Sequence, residues 1–228
     1  MLGPGYSIVW HSGRSADGVG AALASRWPIQ RSQEHSLYVT ERTHDFPWAA
    51  VVAARIDLPD PFGPALFVHH KPSYQRGFSI ERERQAVAAA RFVEHLVATG
   101  PQVRHVILAG DFDDVPESAS IRFWTGLQSL EGMSVCYRDA WAAVHPDDPG
   151  HTFSAGNPLV RAGDMPQEGD RRIDYIMVRA GTHGPSLQVQ DCSLAVHQPV
   201  GGVQPSDHYG VVADLRLPPH EPGTWDEP

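Results

Sequence analysis

Short apolar runs alternate with clusters of Gly, Pro, Asp and Ser along this chain, and the period of each run predicts its element. Tyr6 to Trp10 and Val19 to Leu23 have the length of strands, with a turn-rich break over Ser12 to Gly18 between them. Trp48 to Leu58 (WAAVVAARIDL) alternates in part and predicts a strand. Ala65 to His70 predicts its partner, because the Pro- and Gly-rich stretch Pro59 to Pro64 reverses the chain between them. Ser79 to Thr99 has the clearest helical period: Ala86, Ala89, Ala90, Val93, Leu96 and Val97 form one stripe. Ser79 is its expected cap, and Gly100-Pro101 its expected stop, with the glycine left-handed.

Val103 to Ala109 predicts a buried strand with Asp111 just beyond its end. Glu117 to Leu130 predicts a weaker helix, and Pro146 to Asp170 lacks periodicity and predicts a long loop. Arg172 to Arg179, Leu187 to Val196 and Tyr209 to Leu217 predict strands, and the composition from Pro218 on predicts a flexible tail over 218–228. Short links between neighbouring strands force antiparallel pairing, so this is not a regular βαβα chain. Two mixed sheets packed on each other, with helices outside, fit the pattern.

A length of 228 residues fits one large α/β domain with a substantial core. The net charge is -9, and Lys71 is the single lysine beside 17 arginines. No basic block advertises non-specific nucleic-acid binding, although a local arginine cleft or a bound cation reverses the sign of one face. No run reaches the length of a membrane span, and Met1 to Tyr6 lacks the pattern of a signal peptide, so a cytoplasmic location is expected. Cys136 and Cys192 are too few for a disulfide framework and suit thiols in a reducing compartment.

The chemistry concentrates in acidic segments at strand ends. Asp111 and Asp113 in Gly110-Asp111-Phe112-Asp113 share a face when extended, and two such carboxylates repel unless a cation lies between them or one is protonated. The bland alternative is a solvated acidic turn. Asp174 stands among apolar neighbours in Arg172-Ile173-Asp174-Tyr175 and needs a partner, either Arg172 or an imidazole. Ser206-Asp207-His208-Tyr209 offers a hard oxygen ligand and a group titrating near neutral pH, where a plain turn is the alternative. Phe67-Val68-His69-His70-Lys71-Pro72 ends a strand; adjacent residues point to opposite faces, so only one histidine enters a given site. Lys71, Arg76 and Arg84 stand nearby to receive an anion. The thirteen histidines form no zinc motif, and there is no Walker loop or nucleophile elbow.

Taken in order, five segments resemble the endonuclease/exonuclease/phosphatase superfamily, which includes deoxyribonucleases, abasic-site endonucleases and sphingomyelinases. They are Gly18 to Pro28 (GVGAALASRWP), Val68 to Pro72, Gly110 to Asp113, Arg172 to Tyr175 and Ser206 to Tyr209. The resemblance implies a four-layered α/β sandwich of two packed mixed sheets flanked by helices, spanning 1–217. It implies a Mg²⁺- or Mn²⁺-dependent phosphoester hydrolase of phosphodiesterase, nuclease or phosphatase type, with phosphodiesters preferred. Asp207 is then the metal ligand and His208 the general base, oriented by Asp174. His70, with His69 as second choice, contacts the scissile phosphate. Asp111 positions nucleophile or leaving group, and Asp113 stands where many nucleases have Asn. The substrate class stays open among nucleic acid, lipid head group, inositol phosphate and small phosphodiester.

Family members begin with a strand carrying Trp-Asn and a later strand ending in Gln-Glu, whose glutamate is a principal Mg²⁺ ligand. Neither occurs before Tyr6 here. The resemblance therefore implies an N-terminally truncated domain with an exposed sheet edge, apolar surface, weak Mg²⁺ binding and little activity. The alternative function is that of an inactive remnant that binds a partner.

Overall fold

The computed structural model describes residues 3, 5–13, 20–163, 165–199, 201–220 and 222–223. Residues 14–18 of the expected break, Val19 of the expected strand, and 221 and 224–228 of the expected tail lie outside the described residues. In chain order the first half forms β1 (Ser7–Trp10), β2 (Ala22–Ser25), β3 (Ile29–Ser36), β4 (Ala50–Asp57), β5 (Pro64–Lys71), α1 (Ser79–Thr99) and β6 (His105–Asp111). The second half forms α2 (Ala119–Trp124), β7 (Tyr137–Asp139), α3 (Ala140–Val144), α4 (Pro158–Ala162), β8 (Asp174–Gly181), β9 (Gly184–Pro185), β10 (Gln188–Ala195) and β11 (Gly210–Arg216).

A seven-stranded mixed sheet runs in the order β3-β4-β5-β6-β8-β7, with β9 on β8. Its parallel pair is β5 and β6, joined by α1; the other pairs are antiparallel. Strand parity decides what each face meets. Val51, Ala53, Leu66, Val68, Val106 and Leu108 share one core with the Ala86–Val93 stripe of α1. Val52, Ala54 and Ile56 face the β1–β2 hairpin, and Ile107 and Val178 face the region of Leu187 and Leu215 near the β10–β11 hairpin. Burial on both faces explains the near-continuous apolar runs of β4, β5 and β6. Each fully buried Val or Leu there contributes about 1.5–3 kcal/mol.

The opposite layer consists of two separate antiparallel hairpins, β1–β2 and β10–β11. Between them runs an apolar groove of about 480 Å³, walled by Leu23, Trp27 and Leu215 over a floor of Ile56, Phe67 and Ile107.

Several local expectations need correction. Ser79 is the first helical residue of α1 rather than its cap; Phe78 holds that position without a side-chain bond. Gly100 is extended rather than left-handed, and its N–H donates to the Leu96 carbonyl at 2.9 Å. A Cβ at Gly100 would lie 2.5 Å from that oxygen, which is the reason for glycine. The expected helix over 117–130 shrinks to α2, and the expected loop over 146–170 contains α4. Asp111 closes β6 instead of standing beyond it.

Candidate active site

Lys71, Asp111 and Asp174 close one end of the large sheet. Asp111 and Asp174 face each other across β6 and β8 in register. Parity places both on the hairpin side, with Ile107 and Ile176, away from α1. His208 stands two residues before β11, so the hairpin layer brings it over this end. Its Nδ1 donates to Asp174 Oδ2 at 2.8 Å. Arg172, the other candidate partner of Asp174, is instead buried against Asp139 Oδ2 at 2.7 Å and donates to the Pro149 carbonyl at 3.1 Å. Asp174 is thereby left to the imidazole.

Burial alone would lower the pKa of His208, but the hydrogen bond and charge of Asp174, with Asp111 behind it, raise it to about 9. Burial raises the pKa of Asp174, outweighing the hydrogen bond from His208. A 2.8 Å contact to a carboxylate favours imidazolium over imidazole, so the shared proton stays on His208.

Asp113 adopts φ 54°, and its N–H donates to Asp111 Oδ1 at 3.0 Å. This turn folds its carboxylate back toward Asp111. Lys71 Nζ bridges the two, 2.6 Å from Asp111 Oδ2 and bonded to Asp113 Oδ2. Burial would lower the lysine pKa, but the two carboxylates raise it. Burial also raises Asp111, yet Lys71 and His208 hold it below the usual carboxylate range. Asp113 is pushed up to about 7 by burial and by the charge of Asp111.

His70 is not at this cluster. It is 1% exposed and points into the α1 core, 4.9 Å from Phe112 and 5.6 Å from Trp124 between ring centroids. The even residues Leu66 and Val68 of β5 face α1, so His70 follows them; His69 and Lys71 take the other face. His69 therefore replaces His70 as the histidine on the site's side of the sheet. Its Nδ1 is buried without a partner, and burial first, then Lys71, lowers its pKa to about 4.

Asp207 is exposed and lines the same cleft of about 350 Å³ as Lys71, Asp111, Asp113 and His208. It stays outside the group that gathers donors most tightly: Asp111, Asp174 and His208 each bring one ligand atom within 4.8 Å of the others. Two carboxylates and an imidazole fit a hard divalent cation. Arg76 pairs with Glu168, and Arg84 lies 3.8 Å from Glu131, so both arginines expected to receive substrate are already engaged.

Sequence reasoning missed Thr152 and Asn157, both fully buried. Thr152 Oγ1 accepts from the N–H groups of Ile173 and Asp174 at 3.1 and 3.2 Å, and its carbonyl accepts from Tyr209 at 2.7 Å. Asn157 Oδ1 caps α4, while Nδ2 donates to the carbonyls of Ser206 and Asp207, both at 3.0 Å. These two residues knit the strand of Asp174 to the turn of His208. The Asn157-Pro158 pair, a cap followed by proline at the first helical position, was the available signal.

Mixed sheets with flanking helices define an α/β sandwich, and the known proteins that match have that fold. The model of the Endonuclease/Exonuclease/phosphatase family matches residues 1–208; the chain belongs to that family. Among solved structures, D. rerio TDP2 complexed with single strand DNA product matches with TM-score 0.66 and 17% identity, covering 93% of this chain and 78% of that one. An endonuclease/exonuclease/phosphatase from Bacteroides vulgatus matches with TM-score 0.66 and 19% identity, over 94% and 77%. TDP2 from C. elegans matches with TM-score 0.66 and 16% identity, over 93% and 58%. No curated protein sequence matches. Family membership supports phosphoester hydrolysis in general. No helix among the described residues is long and apolar enough to cross a membrane.

Proposed function

We propose that the chain hydrolyses phosphodiesters with a divalent ion, Mg²⁺ or Mn²⁺, and a water activated by His208 and Asp174. The observation that carries this is the 2.8 Å Nδ1–Oδ2 bond beside Asp111, in a cleft open to substrate. Asp174 fixes the ring and its tautomer, leaving Nε2 to take a proton from water. Asp111 and the second oxygen of Asp174 would hold the ion, with Asp207 at the rim, because both nitrogens of His208 are committed to Asp174 and the water. Such an ion would supply Lewis-acid charge to the phosphate. Positive charge brought beside the imidazolium also lowers its proton affinity, which favours the neutral base. His69 lies on the same face of β5 as the site, and Lys71 is held by Asp111 and Asp113. Single-stranded nucleic acid is the first substrate to test, followed by lipid head groups and small phosphodiesters. A metal-dependent screen across these classes checks the reading; no hydrolysis of any, with or without Mn²⁺, refutes it.

The apolar groove favours a second reading, a catalytically silent domain that binds a partner. A chain that neither binds Mn²⁺ nor hydrolyses phosphodiesters, yet stays folded, would decide for it.

A further inference from the structure

The chain's only lysine lies where two carboxylates demand a cation. Asp111 and Asp113 are turned toward each other by the Asp113 N–H bond to Asp111 Oδ1. Carboxylates so placed are stable only with a positive charge or a proton between them. Lys71 Nζ supplies that charge, bonded to one oxygen of each. Its position follows from register: β5 and β6 run parallel with His69 opposite Ala109, so Lys71 and Asp111 close their strands side by side. Its ammonium lies 5.8 Å from the Trp48 ring centroid, and Trp48 stacks on Tyr74 at 5.5 Å, so an aromatic pair borders the head group. Two residues back on the same face, His69 keeps a buried Nδ1 with no partner.

Asp111 is thus shared. Oδ2 is bound by Lys71 and Oδ1 by a backbone N–H, yet the same side chain belongs to the group of three that fits a divalent ion. We propose that Lys71 is a built-in cation that occupies the Asp111–Asp113 side of the site, excludes a divalent ion from it and confines metal to the Asp174–His208 side. Lys71 is in this sense a positioning residue: it fixes where metal charge sits and how Asp111 is turned. The proposal deepens the hydrolase reading, on which it rests for the meaning of the site, but its test counts ions rather than turnover.

The experiment titrates the full chain with Mn²⁺ alone, following free ion by electron paramagnetic resonance and heat by calorimetry. Lys71→Met is expected to bind one more Mn²⁺ per chain than wild type, or to bind about tenfold more tightly or better, since ligand charge sets hard-cation affinity. Lys71→Arg keeps the charge and is expected to keep the wild-type isotherm. Lys71→Met/Asp113→Asn removes the freed carboxylate and is expected to lose the gain. Should Lys71→Met not fold, Lys71→Gln carries the same expectation. A folded, uncharged variant with the wild-type isotherm overturns the proposal, and so does a gain that persists in the double variant. If wild type binds no Mn²⁺ while Lys71→Met does, the hydrolase reading fails, and with it the placing of metal on the Asp174–His208 side, while the exclusion of an ion by Lys71 stands.

Discussion

Asn157 Nδ2 donates to the Asp207 carbonyl at 3.0 Å, and by that bond the segment before α4 holds the turn that carries His208. The same amide donates to Ser206, so one buried side chain satisfies two carbonyls and caps a helix with its oxygen. Asn157→Ser keeps a capping oxygen and loses both donors. It is expected to cost roughly 1–3 kcal/mol for the stranded acceptors and to lower kcat with little change in KM. Asn157→Ala loses the cap as well and is expected to be less stable still. Thermal melts and the kcat–KM split check this; a variant with wild-type kcat removes Asn157 from the positioning of His208.

The Asp174–His208 bond leads to an expectation of non-additive loss. His208→Ala and Asp174→Asn are each expected to lower turnover by about 10²–10⁴-fold, and the double variant little further, because the two act as one unit. Asp207→Asn is expected to lose much less, since that side chain is exposed and stands outside the tight donor group. Steady-state rates on one phosphodiester compare all four variants. Additive losses for the pair would show that Asp174 does something other than orient the ring.

His70 gives the chain an acid-sensitive core. Burial, followed by the neighbouring His69 and Lys71, lowers its pKa to about 3. The unfolded chain protonates this ring near its ordinary value while the folded chain keeps it neutral, so the unfolded state binds more protons between the two values. Stability from this residue is therefore present at neutral pH and is lost as pH falls from about 6.5 toward 3. The loss is on the order of 5 kcal/mol. Urea midpoints at pH 7 and pH 4 for wild type and His70→Met check it. The difference between the two midpoints is expected to shrink in the variant; an equal difference refutes the assignment.

Much of this was legible before the structure, and the exceptions have physical reasons. The α1 range is unambiguous because its alanine-rich stripe ends at Gly100-Pro101. The cluster of Asp111, Asp174 and His208 follows from strands that end in acids. β3 was invisible: Ile29–Ser36 is a largely exposed polar strand at the sheet's edge, where no hydrophobic alternation is imposed. Choosing between His69 and His70 required knowing which parity of β5 faces α1, and its near-continuous apolar run hides that parity. Lys71 was seen as a substrate cation because sequence shows charge but not distance. Asn157 was hidden because its partners, the carbonyls of residues 206 and 207, are remote in the chain and carry no side-chain signal.

The groove between β2 and β11 should declare itself in solution. Its walls and floor are mostly apolar, and Trp27 on one wall is 46% exposed. Apolar surface of this kind binds environment-sensitive naphthalene dyes and promotes self-association. The folded protein is expected to enhance dye fluorescence and to sediment increasingly as oligomers when its concentration rises. Trp27→Gln takes a large apolar group off the wall at a largely exposed position, so its cost in stability should be small. It is expected to lower both dye enhancement and association while leaving the melting temperature within a few degrees of wild type. Unchanged dye binding in a folded Trp27→Gln would place the sticky surface elsewhere, and a strictly monomeric wild type without dye binding would show that the groove closes in solution.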